Sequence, residues 1–388
     1  MDFSAIEDEL PSLIDLRHDL HRHPELGLDE KRTSAVVARE LEAAGWTVTR
    51  GLAGTGLVGT LTNGQGNRVI GLRADMDALP IEEETGHGYA SENAGLMHAC
   101  GHDGHTAMLI GAARGLAKRR NFDGTIHLIF QPAEENFGGG RLMIEDGLFE
   151  QFPCDAVFGL HNEPGLPFGT IFVRSGPVMA AVDEAVITIE GRGGHGAEPH
   201  TTCDPVVAAA SLVMALQTIV SRNVDPLKSA VVTVGAIHGG KASNVIPGRA
   251  TLTLTIRSLL PEIRDLLQTR ITELAQAQAA SFGATAHVDY QRSYPPTVNH
   301  ADETEFVRRE AERFAGADKV KTLAAPFMGA EDFAYMLEEV PGSYFFIGSG
   351  DADHTYPVHH AKYDFNDAIL PIGAAFWVDL AEKYLARD

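Results

Sequence analysis

Imidazole, thiol and carboxylate side chains recur in this sequence just after short β-rich runs. Asp75 and Asp77 follow 69–72, Glu134 and Glu135 follow 125–130, and His161 follows 156–160. The cluster HACGHDGH adds His98, Cys100, His102, Asp103 and His105 ahead of a helical pattern. Each piece alone has an ordinary explanation, since a single His after a strand is commonly a hydrogen-bonded structural residue and adjacent glutamates are commonly solvated. Together they read differently. Two acidic pairs, a Cys-x-His and an isolated His gathered on one rim would cost solvation and like-charge repulsion unless cations were present. Imidazole, thiolate and carboxylate are the donors that hold zinc and, with some change in preference, manganese or cobalt.

Such groups need a scaffold that delivers them to one edge. Apolar positions at helical spacing over 6–20 and 34–44 predict two amphipathic helices, followed by β runs at 57–61 and 69–72. A helix over about 104–118, a strand 125–130, a helix around 141–146 and a strand 156–160 continue the rhythm of a largely parallel α/β sheet. In open α/β sheets, ligands collect at the carboxyl ends of strands, which is where the groups above fall. Between about 182 and 290 the order becomes strand 185–189, helix 205–221, strand 230–234, strand 250–256, helix 262–280 and strand 284–289. That is βαββαβ, a ferredoxin-like α+β arrangement. Helices 303–314 and 331–338, a strand 344–347 and a closing helix 367–386 then resume the first pattern. The expected architecture is a discontinuous α/β domain of 1–181 and 293–388 with a ferredoxin-like domain of 182–292 inserted. Gly and Pro near 176–181 and 292–298 suit the hinges.

Bulk properties narrow the function. The chain has 388 residues, with 53 acidic against 31 basic side chains and a formal charge of −22. Such a charge repels a phosphate backbone or an anionic bilayer, so no nucleic-acid or membrane partner is expected. The opening MDFSAIEDELPSLIDL is acidic and lacks a secretory layout. The run 206–220, interrupted by Ser211, Gln217 and Thr218, is expected to be a buried helix rather than a bilayer span. Three scattered cysteines, Cys100, Cys154 and Cys203, do not make a disulfide framework, and a cytoplasmic location is expected.

The segments HRHPELGLDE, GLRADMDALP, HACGHDGHTAMLIGAA, FQPAEE, GLHN, GGHGAEPH, ASNVIPGRATLTLTIRS, MGAEDFAY and VHHAKYDFND run in order across nearly the whole chain. As a series they resemble the aminoacylase, hippurate hydrolase and auxin-conjugate hydrolase group of zinc exopeptidases. The resemblance implies two divalent metal ions per subunit, Zn²⁺, Mn²⁺ or Co²⁺, held by Cys100, His102, Glu135, His161 and His359, with Cys100 bridging. It implies Glu134 as general base. Chemistry agrees with that split, because one glutamate must coordinate while its neighbour stays uncoordinated to accept a proton from the attacking water. Asp75 and Asp77 are then better read as orienting the ligands. His359 and His360 are adjacent and chemically equivalent; position in the motif favours His359.

In 182–292 the resemblance makes His195 a transition-state contact, reaching a neighbouring subunit's active site, and Asn244 a substrate contact. It thereby implies a homodimer or dimer-based oligomer and a dimerisation or lid role for this domain. A donor aimed at the oxyanion complements a metal, although His195 in a Gly-rich loop is also readable as a turn residue. Arg257, closing a strand, is either a site for a substrate carboxylate or a surface arginine. The implied reaction is hydrolysis of the amide bond of small N-acyl amino acids, releasing a carboxylic acid and a free amino acid. A dipeptidase or carboxypeptidase on the same fold is the alternative, and a non-catalytic metal-binding protein is a third class, disfavoured by an intact Glu134. The stretch GAIHGGKA at 235–242 comes within one residue of a phosphate-binding loop. Ala242 lacks the hydroxyl for magnesium, however, and 244–247 leads into a strand instead of a helix. His18, His21, His23 and His127 are expected to be structural.

Overall fold

The computed structural model describes residues 1–386. The chain divides into two compact units. Met1–Gly176, Val298–Ala325 and the chain from Asp332 onward form the first; Pro177–Thr297 and Pro326–Glu331 form the second.

The first unit is built on an eight-stranded mixed sheet, in the order Thr47–Leu52, Gly56–Asn63, Gly124–Gln131, Val69–Asp75, Ala156–Pro167, Gly342–Gly350, Ile171–Val173 and Val320–Thr322. Its four central strands, from Gly124–Gln131 to Gly342–Gly350, run parallel, so their carboxyl ends share one edge. These strands are buried on both faces and therefore read as nearly continuous apolar runs. Ile70, Leu72, Ile126, Leu128, Phe158 and Phe345 are at most 0% exposed, packed with Leu109 and Ile110 of the helix His102–Arg119 and with Phe376 and Trp377 of the helix Leu370–Tyr384. Each such side chain contributes roughly 1.5–3 kcal/mol by leaving water.

The helix His102–Arg119 positions the chemistry. It begins after Gly101, whose φ of +94° turns the chain sharply, and a side chain there would collide with Asn162 and Tyr363. Gly104 lets the first turn press against Phe365, 2.2 Å from where a Cβ would stand. Lys118 and Arg119 lie in the last turn, where cations suit the helix dipole.

The second unit carries an antiparallel sheet in the order Ala230–Gly239, Arg249–Ser258, Ala181–Glu190 and Thr285–Arg292. Helices Pro205–Arg222 and Pro261–Ser281 cover it through Leu212, Leu216, Ile219, Leu267 and Ile271. The segment Pro326–Glu331, expected to belong with the flanking chain, belongs to this unit: Phe327 N–H donates to Val178 O and Ala180 N–H to Gly329 O, each at 2.9 Å.

Several boundaries differ from expectation, for identifiable reasons. The helix expected over 6–20 spans Leu10–Arg22, and the closing helix spans Leu370–Tyr384 after a 3₁₀ turn at Asp367–Ile369. Pro11 and Pro371 both sit in the first turn, the place where a missing N–H is harmless. The second helix spans Lys31–Ala43, because the Glu25 carboxylate accepts from the amides of Arg32 and Thr33 at 3.0 and 2.8 Å and caps it from outside the helix. The run 206–220 is not a buried helix. It lies in Pro205–Arg222, the one helix among the described residues long and apolar enough by length and composition to cross a membrane, with 33% of that window buried. One stripe meets the sheet, while Val206, Val207 and Met214 face outward. Over 235–242 the chain continues the strand Ala230–Gly239 and leads to the short strand Val245–Ile246, with no helix after it.

Candidate metal centre

At the carboxyl edge of the parallel strands, five potential donor side chains converge in two groups. Cys100, His102 and His161 form one, Cys100, Glu135 and His359 the other, with the donor atoms of each group all within 4.8 Å of one another. Cys100 belongs to both. Donors 2.0–2.3 Å from one ion lie about 3.3–3.8 Å apart in a tetrahedral shell. Cys100 Sγ is 3.3 Å from His161 Nε2, His359 Nε2 is 3.1 Å from Glu135 Oε1, and His102 Nε2 is 3.9 Å from Glu135 Oε1.

Hydrogen bonds fix which nitrogen of each imidazole faces inward. His102 Nδ1 lies 2.9 Å from the Asp77 carbonyl and 3.2 Å from Asp77 Oδ1, so Nδ1 carries the proton and Nε2 presents its lone pair. His161 Nδ1 donates to the Asn162 carbonyl at 2.5 Å, again leaving Nε2 as donor to a cation. His102 Nε2 and Glu135 Oε1 are buried without a hydrogen-bond partner. Buried polar atoms are rarely left so. Lone pairs that converge without hydrogens between them are what a divalent cation satisfies, and these residues fit a metal pair.

Charge supports the same reading. Burial, with Glu135, Glu134 and Asp75 close by, pushes the Cys100 thiol well up. Burial opposes protonation of His102, yet Asp75, Asp77 and Glu135 push it up to about 10. The acidic surroundings favour a positive charge here, which a cation on a deprotonated Nε2 would supply in place of the proton. Burial and His105 push His161 well down. Acidic groups thus outnumber the available positive charge at the centre.

Glu134 is 6% exposed and lies with His102 and Glu135 inside a third such grouping. His359 adopts φ +64°, its amide donating to Ala99 O at 2.7 Å, and its ring reaches Glu135. His360 points elsewhere, stacked on Tyr356 with centroids 4.6 Å apart and its Nδ1 accepting from the Lys362 amide. Asp77 orients two donors, because its Oδ2 also accepts the Glu135 amide at 2.9 Å. Asp75 instead holds His105: Nδ1 donates to Asp75 Oδ1 at 2.7 Å while Nε2 accepts the Asn162 amide at 3.0 Å. With both nitrogens engaged, His105 has no lone pair to offer.

Other members of the cluster are structural. Asp103 Oδ2 forms an ion pair with Arg17, 3.0 Å from its Nε, and faces His21 Nδ1 at 2.8 Å. Burial works against that carboxylate, but Arg17 and His21 hold it well below the usual range. His98 is buried with neither nitrogen hydrogen bonded, and burial pushes it down to about 4. His18 meets Asp367, His23 meets the Asp19 carbonyl, and His127 meets Thr60.

In the second unit, Gly194–His195 pairs with Val245–Ile246, placing His195 opposite Val245. Gly196 N–H donates to Asn244 O at 2.8 Å, so His195 and Asn244 share one exposed ribbon. Arg257 is not with them. It lies eight residues beyond Arg249 on Arg249–Ser258, roughly 26 Å of extended strand away, and its guanidinium donates to Thr255 Oγ1 and Ile256 O.

Sequence reasoning missed Arg73 and Asp332. Arg73, 1% exposed, donates to Asp75 Oδ2 at 2.6 Å and to Asp332 Oδ1 at 3.2 Å, while Asp332 Oδ2 accepts the Gly140 amide at 2.8 Å. Asn162 was missed too: its Nδ2 donates to the Cys100 carbonyl at 2.8 Å. The charged residues within GLRADMDALP and MGAEDFAY were the available signal.

A mixed sheet with these donors on its carboxyl edge is the scaffold of a metal-dependent hydrolase. The model of Peptidase family M20/M25/M40 matches residues 71–383, and the chain belongs to that family. It is 41% identical over 386 residues to hippurate hydrolase from Campylobacter jejuni subsp. jejuni serotype O:2, covering 97% of this chain and 99% of that one. It is 40% identical over 387 residues to N-acetyl-L-cysteine deacetylase from Bacillus subtilis, covering 99% and 90%. Among solved structures, a dinuclear metal binding peptidase of the same family from Bacillus subtilis superposes with a TM-score of 0.85 at 34% identity, covering 97% and 98%.

Proposed function

We propose that this enzyme hydrolyses the amide bond of small N-acyl amino acids, with two divalent cations held by Cys100, His102, Glu135, His161 and His359. The observation that carries the reading is the sharing of Cys100 between two converging donor groups beside the buried Glu134. Relatives named for hippurate and for N-acetyl-L-cysteine supply the substrate class. When bound, the cations supply Lewis acidity, polarising the scissile carbonyl and acidifying water. Glu134 takes a proton from the attacking water and hands it to the leaving amine nitrogen, so no covalent enzyme intermediate is needed. Asp77 holds His102 and Glu135 in register for this step.

His195 donates to the developing oxyanion, and Asn244, on the same ribbon, binds the substrate's carboxylate end. Arg257, at the far end of its strand, is left out of this assignment. A second copy of the chain supplies His195. Support for a homodimer comes from the free edge of Ala230–Gly239 and the outward Val206, Val207, Met214 and Ile237, which are 38–71% exposed. Free thiols at Cys100, Cys154 and Cys203 suit a cytoplasmic setting.

The deciding experiment follows release of free amino acid from N-acetyl, N-benzoyl and N-lauroyl amino acids and from dipeptides, with chelated, zinc-loaded and manganese-loaded enzyme. Metal-dependent cleavage of the acyl amino acids is expected. Cleavage of dipeptides alone makes the enzyme a peptidase, and no cleavage with cations bound removes the catalytic role of Glu134.

A further inference from the structure

The segment HRHPELGLDE, residues 21–30, holds none of the proposed donors, yet it ends in a buried carboxylate. Glu30 is 0% exposed and, among the described residues, has no basic partner within ion-pair distance. Its Oε1 accepts the Ala133 amide at 2.8 Å and its Oε2 accepts the Thr55 hydroxyl at 2.6 Å. Burying a carboxylate without a cation is costly, and well-placed hydrogen bonds are what make it tolerable.

Ala133 immediately precedes Glu134 and Glu135 and adopts φ +54°, a conformation that L-residues seldom take. Both of its backbone polar groups are tied down: the amide by Glu30, the carbonyl by the Gly139 amide at 3.0 Å. Close packing adds to this. A Cβ on Gly27 would stand 2.9 Å from Ala133 Cα and Cβ, and one on Gly139 would stand 1.7 Å from the Pro132 carbonyl oxygen. The left-handed residue therefore sits in a cage whose polar side is the Glu30 carboxylate, and the two side chains after it inherit their directions from it.

We infer that Glu30 is a positioning residue: by locking the Ala133 amide it fixes the left-handed turn that aims Glu134 and Glu135. The inference rests on the roles proposed for those two glutamates. Without the acceptor, the Ala133 amide is left buried and unpaired, and the turn relaxes toward ordinary right-handed or extended backbone.

The test compares wild type, Glu30→Ala and Glu30→Gln by calorimetric titration of the metal-free protein with Mn²⁺, by melting temperature, and by kcat and KM. Glu30→Ala is expected to weaken Mn²⁺ binding about 10–100-fold and to lower kcat more than it changes KM. Glu30→Gln is expected to return binding to within about threefold, because its carbonyl still accepts from Ala133 while the Thr55 hydroxyl accepts from its amide. If Glu30→Ala does not fold, Glu30→Asp, one methylene short of Ala133, takes its place with the same expectation. A lower melting temperature with unchanged Mn²⁺ affinity and kcat overturns the inference, as does a Gln variant no better than Ala. The titration involves no substrate, so a wild-type enzyme inactive on N-acyl amino acids would refute the proposed reaction while the Mn²⁺ comparison still decides the role of Glu30.

Discussion

Asp77 reaches His102 with one carboxylate oxygen, at 3.2 Å from Nδ1, and the Glu135 amide with the other, at 2.9 Å. One side chain thus sets the tautomer of one proposed donor and the backbone of another. In Asp77→Asn, the side-chain oxygen can serve only one of these donors while the NH₂ group faces the other. Cation affinity is expected to fall about 10–100-fold, read by titration of the metal-free protein. Unchanged affinity would mean that the pair is not oriented through Asp77.

Glu134→Gln keeps size and burial but removes the proton acceptor. A kcat about 10²–10⁴-fold lower is expected, with two cations still bound by elemental analysis. Loss of a cation would instead make Glu134 a ligand.

His359 and His360 separate cleanly. His359 is 51% exposed in its side chain, so His359→Ala costs little folding stability, yet it is expected to reduce bound cation and abolish turnover. His360→Ala removes a stacking contact with Tyr356 and a local hydrogen bond from the Lys362 amide, and is expected to leave kcat/KM within about threefold. The opposite pattern would reassign the ligand.

For exchange between subunits, the measurement is activity of a mixture of His195→Ala and Glu134→Gln proteins after co-refolding. Hybrid dimers contain one site with both an intact Glu134 and a His195 from the other copy, so partial recovery is expected. A mixture as inactive as its components would confine His195 to its own chain or to a turn.

His127 gives a pH signature independent of the centre. Burial pushes its folded pKa down to about 4, whereas an unfolded imidazole titrates near 6.5. Between the two values the unfolded chain binds a proton that the folded chain refuses. Stability should therefore fall as pH drops from about 6.5 toward 4, by up to about 3 kcal/mol, and the loss should level off below. His127→Gln should flatten that window relative to wild type in urea melts at pH 7, 5.5 and 4.5, and parallel curves would refute the assignment.

Much of the candidate site was legible because its potential donors are local events. Glu134–Glu135 after a strand and Cys100-x-His102 before a helix announce themselves by spacing, and the parallel strands bring them to one edge. Apart from Asp75 and Asp77, their supports were not legible. Arg73 meets Asp332 across 259 positions, and Glu30 meets Ala133 across 103. Neither contact leaves a periodic or compositional trace in the sequence. Short strands near one side of the sheet, Ile171–Val173 and the edge strand Val320–Thr322, were missed for a related reason: three residues carry too little pattern, and pairing across the sheet creates them. The outward apolar face of Pro205–Arg222 was read as burial because hydrophobicity alone does not say which neighbour covers it.

The order of strands also bears on synthesis. Gly342–Gly350 lies beside Ala156–Pro167 in the interior of the sheet, and His359 follows it. A chain emerging from the ribosome therefore has an open seam along Ala156–Pro167 until some 350 residues have been made, and Cys100 waits for His359 across most of translation. Cation capture by the proposed donor set, which includes His359, becomes possible only after that seam closes. Metal then stabilises finished molecules by mass action and offers nothing comparable to truncated ones, so cation supply during expression should govern the yield of native enzyme as well as its activity.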